Sequence, residues 1–304
     1  MPCYHPLQAY FSVRSDGKKD VKFSNALAKN FAAGIAMPED SLQVPCGRCM
    51  GCRLERSRQW AVRMMHEAKL YEDNCFVTLT FDEKNLFEKC SNGSLDKKHV
   101  QDFMKALRYR FSDRKIRFFA CGEYGDALFR PHYHLCLFNV DFADKVKWKK
   151  VNGFWYFNSD LLASCWTFGH SVISDLTFES AGYVARYCTK KVTGSVAKEH
   201  YGDRLPEFAQ MSLKPGLGRG WLDRWGKTDC FAHDDVVVRG VQCKPPRYYD
   251  KVLESLDSAR FELVKESRKA RAQEKAGDST FSRLAVREKC LEARIKNLIR
   301  RMEK

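Results

Sequence analysis

The chain has 304 residues, 44% of them hydrophobic and 13% aromatic, which is the make-up of a globular protein able to bury one substantial core plus appendages. Lys and Arg total 53 against 38 Asp and Glu, a net charge of +15, so its field draws polyanions such as nucleic acid or an anionic membrane surface. No apolar run approaches the roughly 20 residues of a membrane span, which excludes an integral helical membrane protein.

The N-terminus, MPCYHPLQAYF, lacks the basic start and apolar stretch of a signal peptide. Without a secretory signal, the 13 cysteines point to reduced thiols, some of them on a metal, rather than to disulfides. Residues 1–52 carry few periodic segments and close in PCGRCMGC, a turn-rich knuckle. Within it Cys46, Cys49 and Cys52 form C-x-x-C-x-x-C, and Cys3 or His5 is available as a fourth ligand. Thiolates at that spacing suit a structural Zn²⁺ or an iron–sulfur cluster; the plain alternative is a set of reduced thiols at a turn. Residues 53–72 read as a helix, with Trp60, Met64, Ala68 and Tyr71 on one stripe and arginines around it.

FVTLTF at 76–81 alternates and is rich in β-branched and aromatic side chains, so it reads as a strand. Val100, Phe103, Met104, Leu107 and Phe111 follow helical spacing behind a capping Asp96. RFFACG at 117–122 and HYHLCLF at 132–138 are two further strands joined by a short loop. A short helix over 160–166, capped near Ser159, precedes a strand at 169–174, and Ser180 reads as the cap of the next helix. KPGLGRGW at 214–221 reads as loop, and beyond Pro245-Pro246 the chain is charged and helical, with a break near 277–279. This gives three parts: a Cys-rich segment and basic helix over 1–74, a catalytic unit over 75–213, and a loop plus basic helical extension over 214–304. The class is α+β, an antiparallel sheet backed by helices.

On a strand, residues two apart point the same way, so His132 and His134 present both rings to one side. Glu123 ends the preceding strand and approaches the pair if the two strands are hairpin neighbours; otherwise it is an ordinary exposed acid. Two imidazoles and a carboxylate leave positions open for substrate oxygens and suit Mg²⁺ or Mn²⁺ as a Lewis acid. Tyr183 and Tyr187 are four apart, on one helical face, with Lys190 three further on and Arg186 three from Tyr183. A phenol is a weak nucleophile at neutral pH and needs a polarising metal and a nearby cation. Phenols beside such a metal site describe a phosphodiester transesterification; an i,i+4 aromatic pair without one is core packing.

These residues resemble the HUH endonucleases, the rolling-circle replication initiators, and in particular those of gokushovirus-type microviruses. FVTLTF is similar to the family's first motif, RPHYHLCLF at 130–138 to the motif with paired histidines, and YVARYCTKK at 183–191 to the two-tyrosine motif. The resemblance implies a five-stranded antiparallel sheet with helices around it. It also implies nicking and joining at a phage origin, with one tyrosine forming a 5′-phosphotyrosine link and freeing a 3′-OH, and the second acting after one circuit. The implied DNA is circular single-stranded or replicative-form phage DNA, with a host polymerase and helicase as partners and the bacterial cytoplasm as the place of action. Arg186 and Lys190 are both candidates for the assisting cation, and the Y-x-x-K spacing with Tyr187 favours Lys190. Relaxases usually place the tyrosine before the histidine motif, so the order here favours replication over conjugation.

Thr78 and Thr80 are candidates for the DNA face, and Lys214, Arg219 and Trp221 for clasping a single strand by charge and stacking. Two other classes are a non-catalytic single-stranded nucleic-acid-binding protein with a zinc knuckle and an iron–sulfur redox protein. The first would bind DNA with no covalent adduct, and the second would be brown.

Overall fold

The computed structural model describes residues 3–17, 19–35, 38, 41–126, 128–151, 153–186, 191–192 and 194–296. Among the described residues the chain forms two compact units, one from those up to Arg56 together with residues 251–296, the other from Ser57–Asp250. The sequence reading set its boundaries after residues 74 and 213 instead.

In the first unit, β1 (Leu7–Val13) lies between β2 (Lys19–Phe23) and β3 (Ser41–Val44) in an antiparallel sheet. Helix α1 (Asn25–Ala32) starts where the Ser24 hydroxyl accepts from the Leu27 amide. The helices Ser258–Glu274 and Phe281–Lys296 complete the unit, with Phe281 meeting Phe31 edge-on at 6.1 Å. The sequence did not announce this sheet. Gln8 and Ala9 are adjacent yet both buried, which breaks the alternation that reveals a strand. Helix α2 (Met50–Ala68) runs from the knuckle cysteines of this unit into the residues of the second.

The second unit is built on seven antiparallel strands: β4 (Asn74–Phe81), β5 (Arg117–Tyr124), β6 (Pro131–Phe138), β7 (Val146–Val151), β8 (Phe154–Asn158), β9 (Gly169–Asp175) and β10 (Phe208–Met211). Their order is β10-β5-β6-β4-β9-β8-β7. The class is the expected α+β antiparallel one, but the sheet exceeds the five strands implied by the resemblance. The hairpin β7–β8 and the four-residue edge strand β10 extend it at opposite ends.

Both faces of the sheet are covered. On one, Val77, Leu79, Leu135 and Leu137 pack with Val100, Phe103 and Leu107 of the helix Lys97–Arg110, which Asp96 caps by accepting from the Lys98 amide. On the other, Phe76, Phe119, Cys136 and Phe138 pack under Ala61 and Met64 of α2 and under Ala181, Val184 and Ala185 of the helix Phe178–Ala185. Each fully buried Leu, Val or Phe contributes about 1.5–3 kcal/mol. Period-two alternation within β4, β5 and β6 therefore serves two cores, and the part of the α2-side face that extends beyond its helical cover is left for chemistry.

Trp221 is only 3% exposed and stacks on His66 with ring centroids 3.7 Å apart, while His66 Nδ1 lies 2.9 Å from the Tyr249 hydroxyl. The expectation that Trp221 stacks on DNA is corrected: its indole is interior. The segment read as loop is in part a helix, Arg219–Trp225, which swings Trp221 inward. Burial, reinforced by Lys69, holds His66 down at about 3. A base with a depressed folded pKa stabilises the fold above its unfolded value of about 6.5 and loses that contribution as pH falls toward the folded one. Urea midpoints should therefore drop between pH 6.5 and 4, and His66→Phe should flatten that decline; an unchanged slope in the variant would assign it to other groups. No helix among the described residues is long and apolar enough to cross a membrane.

Candidate active site

The register of the three central strands builds the site. Across β5 and β6, Glu123 faces His132 and Cys121 faces His134; across β4 and β6, Thr80 faces His132 and Thr78 faces His134. Cross-strand partners point to the same side of a sheet, so Glu123, His132, His134, Thr78 and Thr80 share one face. That face also carries Phe76, Cys136 and Phe138, and the polar residues begin where the helical cover ends.

Glu123 Oε1 lies 3.0 Å from His134 Nε2 and 3.5 Å from His132 Nε2. Candidate ligand atoms of the three residues all fall within 4.8 Å of one another. His132 Nδ1 is 3.1 Å from the Arg130 carbonyl, which only accepts, so Nδ1 carries the hydrogen and Nε2 turns to the carboxylate. Thr78 Oγ1 lies 3.0 Å from His134 Nδ1 and holds the orientation of the second ring. Burial alone would raise the Glu123 carboxyl, yet hydrogen bonds with His132 and His134 more than offset it and hold it well below the usual carboxylate range. Two imidazoles and an ionised carboxylate in that proximity need a shared positive charge, either a proton or a metal ion. The donor set, two nitrogens and one oxygen from adjacent strands, fits a divalent cation that keeps positions for other oxygens.

Tyr183 stands over this site. Its ring lies edge-on to His134 with centroids 4.9 Å apart, and the Arg186 guanidinium lies 5.2 Å from the centre of the phenol ring. Its helix, Phe178–Ala185, is held at its end by the Ser57 hydroxyl donating to the Ala185 carbonyl at 2.9 Å. The cap is Thr177 rather than Ser180. Thr177 accepts from the Ser180 amide and Ser180 accepts from the Thr177 amide, a reciprocal box whose sequence pattern, Thr followed three residues on by Ser, conceals it. Tyr187 and Lys190 lie outside the described residues.

Beside Tyr183 and His134 opens a groove of about 770 Å³ that also takes in Thr78, Thr80, Trp148, Lys149, Tyr156 and His170. Its outer wall is the hairpin β7–β8, which sequence reasoning missed. There Lys149 Nζ lies 4.2 Å from the centre of the Trp148 ring and Lys147 Nζ 4.9 Å from that of Trp155. The other expected DNA contacts are elsewhere. Lys214 lines a cavity of about 490 Å³ with Arg117, at the end of β5 away from Glu123. Arg219 is held by Asp223 at 2.8 Å.

Residues 74–192, which span β4 through both tyrosines, match the family described as replication-associated protein ORF2/G2P. The chain is 32% identical to the replication-associated protein ORF2 of Spiroplasma virus 4 over 287 residues, covering 88% of this chain and 86% of that one. It belongs to the family of phage replication-associated proteins. The replication-associated protein VP4 of Bdellovibrio phage phiMH2K is 30% identical over 82% of this chain and 76% of its own length. The ORF4 protein of Chlamydia phage 1 is 30% identical over 72% and 55% respectively. No solved structure matches. The likeness to microvirus replication initiators, read first from three short motifs, thus extends over most of the chain.

Proposed function

We propose that this replication initiator cuts and rejoins single-stranded DNA at its phage origin by tyrosine transesterification, with Tyr183 and Tyr187 as the nucleophiles. The observation that carries the reading is the convergence of Glu123, His132 and His134 on the sheet face directly under Tyr183. Glu123, His132 and His134 would hold Mg²⁺ or Mn²⁺, which supplies Lewis-acid polarisation of the scissile phosphate. In the cutting step a bond forms between a tyrosine Oη and phosphorus and the bond from phosphorus to the 3′ oxygen breaks. The phenol gives up its proton, the departing 3′ oxygen takes one up, and a 5′-phosphotyrosine remains. Rejoining runs the same exchange backward, and a second tyrosine lets the displaced strand be closed into a circle. Arg186 beside Tyr183, and Lys190 beside Tyr187 in sequence, are the cations available to steady the phenolates. The DNA in this reading is the phage circle, single-stranded or replicative. A host helicase and polymerase unwind it and extend the 3′-OH in the bacterial cytoplasm.

The test is incubation of the full chain with a single-stranded phage circle and Mn²⁺, followed by a denaturing gel. A covalent adduct is expected that requires metal and disappears in the Tyr183→Phe/Tyr187→Phe double variant. DNA binding with no adduct on origin-bearing DNA would instead make this a non-catalytic binding protein.

The hairpin β7–β8 is, in this reading, the wall that holds the strand beside the tyrosines, its lysines on phosphates and its tryptophans under bases. Replacing Lys147, Lys149 and Lys150 together with Ala should weaken single-strand binding. It should also reduce the slope of log affinity against log salt by about 2, at roughly 0.7 for each phosphate no longer neutralised. An unaltered salt slope would remove the hairpin from the binding surface.

A further inference from the structure

The first unit carries a second cluster of ligating side chains that the DNA chemistry does not use. The β1–β3 ladder ends at the pair Leu7↔Val44, which brings the residue four before β1, Cys3, to the same end of the sheet as the residue two after β3, Cys46. Cys49 and Cys52, three apart at the start of α2, complete the group. All four sulfurs lie within 4.8 Å of one another, with Cys3 and Cys49 Sγ 3.9 Å apart. Four thiolates around one tetrahedral Zn²⁺, each at about 2.3 Å, stand about 3.8 Å from one another. A disulfide would bring two of them to about 2.05 Å, and a multi-iron cluster would hold them farther apart by interposing its own atoms.

The backbone is shaped for the same purpose. The Arg48 and Cys49 amides donate to Cys46 Sγ at 3.4 and 3.3 Å, and the Cys46 amide donates to Cys3 Sγ at 3.2 Å. Amide donors converging on sulfur are the partners that a metal-bound thiolate, an acceptor with no proton of its own, takes from the surrounding backbone. Gly47, at φ +74°, supplies the left-handed turn that lets them converge. His5, the competing fourth ligand, is engaged elsewhere, with Nε2 2.8 Å from Glu288.

We infer that Cys3, Cys46, Cys49 and Cys52 form a tetrathiolate site for one structural Zn²⁺. The ion joins the open end of the three-stranded sheet to the first turn of α2, so binding it and folding this unit are one event. The inference stands apart from the nicking chemistry, and either can fail without the other.

The test is metal analysis of the full chain carrying His132→Ala and His134→Ala, so that zinc at the triad cannot be counted. One zinc per chain is expected, and chelation should lower the Tm and added Zn²⁺ restore it. Co²⁺ exchanged into the same protein should show the intense thiolate-to-cobalt band and tetrahedral visible absorption, both lost in Cys49→Ser. Because Cys49→Ser can also fail to fold, the cobalt spectrum of the cysteine-intact protein decides by itself. Protein that takes up cobalt without a thiolate band, holds no zinc, or purifies brown with iron and labile sulfide overturns the inference.

Discussion

Glu123→Gln is expected to slow adduct formation about 10²–10³-fold, the cost usual for removing one preorganised electrostatic partner of a reacting phosphoryl or acyl group. The change keeps the shape of a side chain that is 3% exposed, so packing is spared and only charge is lost. In the proposed metal reading, that charge is what draws the cation. Without it, two imidazoles face a neutral amide, and the attraction for a divalent ion falls more than the attraction for a substrate oxygen. The half-saturating Mn²⁺ concentration should therefore rise along with the fall in rate. Single-strand binding without metal should stay near the unsubstituted level, because the hairpin lysines are untouched. Since hydrogen bonds with His132 and His134 hold the carboxyl well below the usual range, its charge persists through mild acid. Activity at pH 5 should accordingly be limited by other groups. A Mn²⁺ titration of the variant that superimposes on that of the unsubstituted protein would sink the metal reading.

Much of this site is legible in the sequence because a strand repeats every two residues. HYH can only place both imidazoles on one side, and a short hairpin can only return the chain so that Glu123 meets them. The tyrosine is legible for the equivalent helical reason: Tyr183 sits two residues before the end of Phe178–Ala185, half-buried against the cluster that carries Phe76, Cys136 and Phe138. What escaped depends on residues distant in sequence. Trp221 sits in a Gly- and Pro-rich stretch that suggests an open loop, and its actual neighbours, His66 and Tyr249, are set by packing that no local pattern encodes. The hairpin β7–β8 was hidden by its own exposure. Val146–Lys150 are all solvent-facing, so no apolar face marks the strand. A signal was nevertheless present: the dipeptide Asn152-Gly153 between VKWKKV and FWYFN is a strong short-range hairpin cue.

Glu67→Ala should destabilise the protein by about 3–5 kcal/mol, the cost of stranding a buried charge. Its side chain is 2% exposed and that of Arg117, its ion-pair partner, 6%. The second Glu67 oxygen accepts from the Gly218 amide at 2.7 Å, and Arg117 donates to the Pro215 carbonyl at 2.7 Å. One carboxylate thus ties α2 to the start of β5 and to the turn that leads Trp221 into the interior. Removing it leaves a guanidinium that can neither reach water nor release its proton. Exposed pairs such as Lys98 with Asp102 contribute little, so their removal is the control. The decisive comparison is the double variant Glu67→Met/Arg117→Met in urea unfolding. Burying two apolar side chains in place of the pair costs little or even stabilises, so the double variant should be more stable than Glu67→Ala alone. That order, the double above the single, separates a stranded charge from simple loss of packing, for which two truncations would cost more than one. It also bears on the site, because Arg117 and Glu123 stand at opposite ends of the same strand. If the pair anchors β5, Glu67→Ala should lower nicking only near its unfolding transition, whereas Glu123→Gln should lower it where the protein is fully folded.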